Sequence, residues 1–218
     1  MHTITLPDPF VIIVVLVGLS LAPFVAIMIT SFVKLVVVLS LIRNALGIQQ
    51  IPPNIVINGL AIILTIYIMY PVILDSYYVL KDNELSFKNI KSFQLVLNKA
   101  KVPIQKFLLK HSKKRERLFF KKSAKVLWPK EAYLEIKDDD MLILLPSFIV
   151  SELTSAFQIG FLIYLPFVVI DIVISNILLA MGMMMVSPMT ISLPFKLLLF
   201  VLVDGWTRLI HGLVLTYR

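Results

Sequence analysis

Cysteine is absent from all 218 residues, so neither a disulfide nor a thiolate-held metal contributes to this protein. Histidine is nearly as scarce. His2, His111 and His211 stand far apart and provide no metal-ligand spacing. The seven glycines are isolated, which excludes a glycine-rich phosphate loop. No side chain stands in a nucleophile-and-base motif. These absences point away from enzymatic chemistry and from a resident metal or cofactor. Charge is sparse too, at 16% of residues, against about 25% in soluble domains, while 59% are hydrophobic.

The few charges are badly mixed. Of the 21 lysines and arginines, 16 lie between residues 81 and 140, with 8 of the 13 acids, so this block holds the whole net charge of +8. Two almost purely apolar blocks flank it. This is the pattern of a membrane protein. It divides the chain into residues 1–80 (N-terminal hydrophobic helices), 81–140 (a basic helical insert) and 141–218 (C-terminal hydrophobic helices). The fold class is all-α, with four apolar helical segments arranged as helical hairpins and the insert between the second and third.

Phe10 to Ile42 is apolar but for a Thr30–Ser31 pair and Lys34, with Pro23 inside it. About twenty residues span a bilayer, so this is a long or kinked helix. The run lacks a basic n-region and is too long for a signal-peptide core, which predicts an uncleaved anchor. Arg43 closes it. In "NALGIQQIPPN", Gly47 suits a helix C-cap and Pro52–Pro53 blocks continuation. A second span begins near Ile55, reaching Tyr70 or, past a Pro71 kink, Leu80. The insert reads as one helix over 86–101 and another from Pro103 to Val126, with Phe87, Ile90, Phe93 and Leu97 forming an apolar stripe. Its "HSKKRERLFFKK" segment reads as a solvated helix face in preference to a nucleic-acid or anionic-lipid site. In the last block, Pro146, Pro166, Pro188 and Pro194 divide the chain into further apolar segments.

Five charges stand where lipid would penalise them by about 3 kcal/mol each: Lys34, Glu152, Asp171, Lys196 and Asp204. Asp204 and Arg208 are four apart, so a local ion pair is one reading and a functional role the other. Lys196, Asp171 and Lys34 have no opposite charge one turn away and need partners on another helix or another subunit. Lys196 and Asp171 suit each other. Ser147, Ser151, Thr154, Ser155 and Gly160 flank Glu152 with small residues, as at a close helix or subunit interface. Intramembrane charges also fit an ion or small-solute channel or transporter, and the basic insert fits a lipid-binding scaffold. "MGMMMVSP", residues 181–188, sets four methionines in five positions ahead of a proline. Methionine is soft and fills gaps without specifying them, so helix-end core packing is the ordinary explanation.

Three stretches together resemble one known family. They are "TSFVKLVVVLSLIRNALGIQQIPPN" (Thr30–Asn54), "LPSFIVSELTSAFQIGFLIYLPFVVID" (Leu145–Asp171) and "LLAMGMMMVSPMTISLPFKLLLFVLVDGW" (Leu178–Trp206). They are similar to the SctR/FliP export-gate subunits of type III secretion systems. The short N-terminus and the ending "DGWTRLIHGLVLTYR" look more like the injectisome type (SctR) than the flagellar one. The resemblance implies a non-enzymatic, pore-forming subunit of an export gate for unfolded proteins in the bacterial inner membrane. It implies a pentamer joined to SctS-like and SctT-like subunits, with other basal-body components as neighbours and much of the mass on the periplasmic side. It requires no cofactor, metal or nucleic acid. By the same resemblance, Met183, Met184 and Met185 form a gasket in the pore, Gly182 supplies backbone freedom and Pro188 ends the helix, leaving Met181 as the last packing residue. Lys34, Glu152, Asp171, Lys196 and Asp204 become candidate assembly charges. The positive-inside rule would place the basic insert in the cytoplasm. The resemblance places it in the periplasm, and at about sixty residues the rule weakens, so the periplasmic side is expected.

Overall fold

The computed structural model describes residues 9–48, 50–82, 90–130, 133, 137 and 139–218. Eight helices and no strand occur among them: α1 (Pro9–Ile29), α2 (Phe32–Ala45), α3 (Asn54–Asp82), α4 (Ile90–His111), α5 (Lys114–Leu127), α6 (Met141–Ala180), α7 (Pro188–Leu202) and α8 (Gly205–Leu215). Helices α3 and α6 are each long and apolar enough to cross a membrane, and α1–α2 and α7–α8 qualify as two further spans, bent by 66° and 60°. Four apolar segments with a helical insert between the second and third is the expected plan.

The bend in the first segment falls at Thr30–Ser31, while Pro23 lies inside α1. Helix α2 is the centre of the molecule. Lys34, Leu35, Val38, Leu39, Ile42 and Ala45 are buried along it, and α6 is the helix it touches most. Lipid tails are as apolar as leucine, so such contacts depend on close packing and shared polar bonds, not on a hydrophobic drive. Gly160 permits the approach: a Cβ there would overlap the side chain of Leu41, lying 3.2 Å from its Cβ and 3.3 Å from its Cγ. The small-residue stretch thus has one assigned surface, a helix interface within the chain. Helix α2 ends as expected, with Gly47 at φ +77° after the Leu46 cap. Arg43 then fastens the turn, donating to the Asn54 side chain at 2.5 Å and the Pro52 carbonyl at 3.3 Å.

Four prolines do not divide the chain where the sequence suggested. Pro146 and Pro166 lie inside α6, a single helix of 40 residues and about 60 Å, twice the hydrocarbon thickness, and Pro194 lies inside α7. Pro103 is likewise inside α4, buried, and the break comes later at Ser112–Lys113. A proline in a helix forfeits one backbone bond, at a local cost of about 3 kcal/mol. Pro103 is buried, Pro146 half-buried and Pro166 exposed, yet each stays within a continuous helix. What stops α4 is tertiary: Lys113 turns extended (ψ 134°) and donates its N–H to the Ser151 hydroxyl of α6 at 2.8 Å. Ser151 and Ser147 also donate to carbonyls one turn back in α6, at 2.6 Å each. The insert therefore rests on the first turns of α6, where Phe107, Leu108, Leu144, Phe148 and Met69 form a second core. The stripe expected at Phe87, Ile90, Phe93 and Leu97 lies outside the described residues and side chains.

Candidate functional site

The methionine loop joins α6 to α7, and backbone chemistry fixes its shape. Met181 caps α6, and Gly182 at φ +75° takes the left-handed conformation that only glycine adopts without strain. Gly182 N–H donates to the Leu179 carbonyl at 3.0 Å and Met183 N–H to that of Leu178 at 2.9 Å. These two bonds are a complete Schellman closure, which satisfies carbonyls the helix end leaves unpaired. Two roles differ from expectation. Met181 caps the helix with an exposed side chain and does not pack it. Pro188 begins α7 and does not end α6, because its fixed φ and missing N–H suit a first helical position.

The tip between these ends is bare. Met183 is 43% exposed, Met184 79% and Met185 99%. No described part of the chain covers Met185. Core packing within one chain therefore does not account for the cluster.

The hairpin behind the loop is clamped. Lys196 of α7 meets Asp171 of α6 at 2.6 Å, and the Ser192 hydroxyl donates to the other carboxylate oxygen at 2.6 Å. Both oxygens of Asp171 are thereby occupied, and Lys196 is buried. The pairing expected from their lack of same-helix partners is present.

Lys34 also finds its partner inside the chain. Its ammonium lies 2.9 Å from Glu152 of α6, both groups almost fully buried. The same ammonium sits 4.1 Å from the centre of the Tyr217 ring, and the Tyr217 hydroxyl donates to the second oxygen of Glu152. The ring of Tyr217 stacks on Phe107 and meets His111 at 5.0 Å, both on α4. Burial, with Lys34 and Lys110 nearby, pulls the His111 imidazole down to about 4, so it is neutral at physiological pH. Sequence reasoning passed over Tyr217 and His111. A lone tyrosine 65 positions from its carboxylate carries no local signal.

Asp204 stands apart from this pattern. It is exposed in the bend between α7 and α8 at φ 52°, and its carbonyl accepts the Arg208 N–H at 3.0 Å. No salt bridge joins the two side chains among the described residues. A left-handed aspartate followed by Gly205, where a Cβ would overlap the Phe200 ring, makes the 60° bend.

The FliP family profile matches residues 15–213, nearly the whole chain. The chain belongs to the FliP family. A relative named Yop proteins translocation protein R, from Yersinia pestis, is 59% identical over 214 residues, covering 98% of this chain and 99% of its own. Hypersensitivity response secretion protein HrcR of Ralstonia nicotianae is 49% identical, covering 95% and 96%. Virulence protein YscR of Salmonella typhimurium is also 49% identical, covering 98% and 99%. These names place this FliP-family chain on the injectisome side, as its sequence suggested. The Lys34–Glu152 and Lys196–Asp171 pairs are both made within the chain.

Proposed function

We propose that this chain is a pore-forming, non-enzymatic subunit of a type III secretion export apparatus in the bacterial inner membrane. Unfolded proteins would pass through the gate it builds. Membership of the FliP family and the secretion names of its relatives support the coarse role. The observation that carries the finer one is the methionine tip, held out by a glycine cap at one end and a proline start at the other. Repeated around a ring, such tips present flexible thioethers to a central axis. Soft side chains close around varied cargo and reopen, whereas branched aliphatics would pack rigidly. In this reading Met183, Met184 and Met185 form the seal. The chain is a homo-oligomer, a pentamer by family resemblance, joined by SctS-like and SctT-like subunits, with the insert on the periplasmic side. The rival reading, a channel or transporter for ions or small solutes, drew on unpaired intramembrane charges. Four of the five are now paired or clamped within the chain, which weakens it.

The test replaces Met183, Met184 and Met185 with alanine in the assembled apparatus. A seal predicts greater ion leakage with assembly intact and secretion largely retained. Loss of assembly returns the methionines to ordinary packing, and an assembled variant with unchanged leakage removes the seal. Native mass spectrometry from mild detergent tests the partners: a monomer with no small hydrophobic subunits under any co-expression contradicts the export-gate reading.

A further inference from the structure

Four elements meet at Tyr217, in the segment after α8: that segment itself, α2 through Lys34, α4 through His111 and Phe107, and α6 through Glu152. One residue before Glu152, Ser151 accepts the N–H of Lys113, the residue at which α4 turns into α5. The elbow of the basic insert is therefore seated beside a buried ion pair, and Tyr217 touches both that pair and the turn of α4 that leads into the elbow. We infer that Tyr217 is a positioning residue that latches the α4–α5 elbow onto the membrane body, through two separable contacts.

The first contact is the hydroxyl. Glu152 has two oxygens, one facing Lys34 at 2.9 Å and one accepting from Tyr217. A buried carboxylate oxygen needs a donor, and the phenol supplies it while fixing the plane in which the other oxygen faces Lys34. The second contact is the ring. Its face lies over the ammonium at 4.1 Å, an arrangement favoured when both groups are desolvated. The Phe107 ring stacks on it at 6.1 Å, and His111 approaches at 5.0 Å, tilted by 58°. His111 and Phe107 are one turn apart at the end of α4, so a single aromatic side chain holds the last turn before the elbow. Without it, the elbow loses its tie to α2, and the Lys113–Ser151 bond, supported by the Phe107–Phe148 contact with ring centres 5.7 Å apart, opens more often.

Nothing in this inference depends on the methionine seal. It is tested on the full chain, purified in mild detergent with its co-assembled subunits, by hydrogen-exchange mass spectrometry of Tyr217→Phe and Tyr217→Leu. The expected result for Y217L is an increase of about tenfold in exchange over residues 108–116, the Lys113 amide included, with residues 35–42 of α2 within about twofold of wild type. Y217F keeps the ring and should raise elbow exchange by no more than about threefold. An unchanged elbow in Y217L overturns the latch. So does loosening of α2 and the elbow together, which marks Tyr217 as a general core residue. If Y217L does not accumulate, His111→Leu in its place must loosen residues 108–116 ahead of α2, and failure to do so likewise overturns the latch.

Discussion

Removing either member of the Lys34–Glu152 pair should harm the protein far more than removing both. At 2.9 Å and an effective dielectric of about 20, their attraction is about 6 kcal/mol, set against a desolvation cost of several kcal/mol for each ion. Lys34→Met leaves a buried carboxylate facing only the Tyr217 hydroxyl. Glu152→Gln leaves a buried ammonium facing an amide and an aromatic ring. Each single change should cost about 3–5 kcal/mol. The double variant replaces both charges with groups of similar volume, and the amide introduced at position 152 still serves the phenol. It should lie within about 2 kcal/mol of wild type, giving a coupling of about 4 kcal/mol or more. Thermal unfolding of the four proteins in one detergent, followed by tryptophan fluorescence, measures the cycle. Because both groups are nearly fully buried, the coupling should be the same at low and high salt. Additive single effects would refute the reasoning, and so would a coupling that high salt abolishes.

Other changes test other parts of the site. His111 titrates lower in the folded chain, at about 4, than in the unfolded one, near 6.5, so its contribution is complete above pH 6.5 and lost as pH falls through 4. The full shift is worth about 3 kcal/mol, which solvent screening of a partly exposed ring reduces to about 1–2 kcal/mol. Melting at pH 7.5 and pH 4 should show that loss in wild type and less of it in His111→Phe. Gly160→Val should destabilise by about 1–3 kcal/mol through overlap with Leu41, and Leu41→Ala in the same chain should recover at least half on the same melting assay. Gly182→Val places a β-branched residue at φ +75° and should cost about 2 kcal/mol, whereas Gly182→Asn should cost about half that. Asp171→Asn should open the α6–α7 hairpin, seen as faster protease cleavage in residues 181–188.

Features governed by local backbone chemistry were legible in the sequence. Gly47 stands where a helix ends, and only glycine enters the left-handed region freely, so that cap could be read directly; the freedom expected of Gly182 came from the family resemblance. The Lys196–Asp171 pair was legible by elimination, since neither had a partner on its own helix. Proline misled because its cost is local and its compensation is not. Pro103 is buried by packing that no window of sequence displays, and Pro146 and Pro166 sit inside one unbroken helix. The partner of Lys34 was hidden for a similar reason. Small residues around Glu152 signalled a close interface, but not that α2 would fill it, nor that Tyr217 would close the far side.

A helix of 40 residues is also a lever. From Ser151, where the insert elbow rests, to Met181 is thirty residues, or about 45 Å of continuous helix. A tilt of about 5° pivoting at the elbow sweeps the loop end through about 4 Å, close to the width of one methionine side chain. The clamp of Asp171 on Lys196 and Ser192 makes α7 move with it. A small rotation at the insert thus becomes, at the loop, a displacement of about one side chain's width.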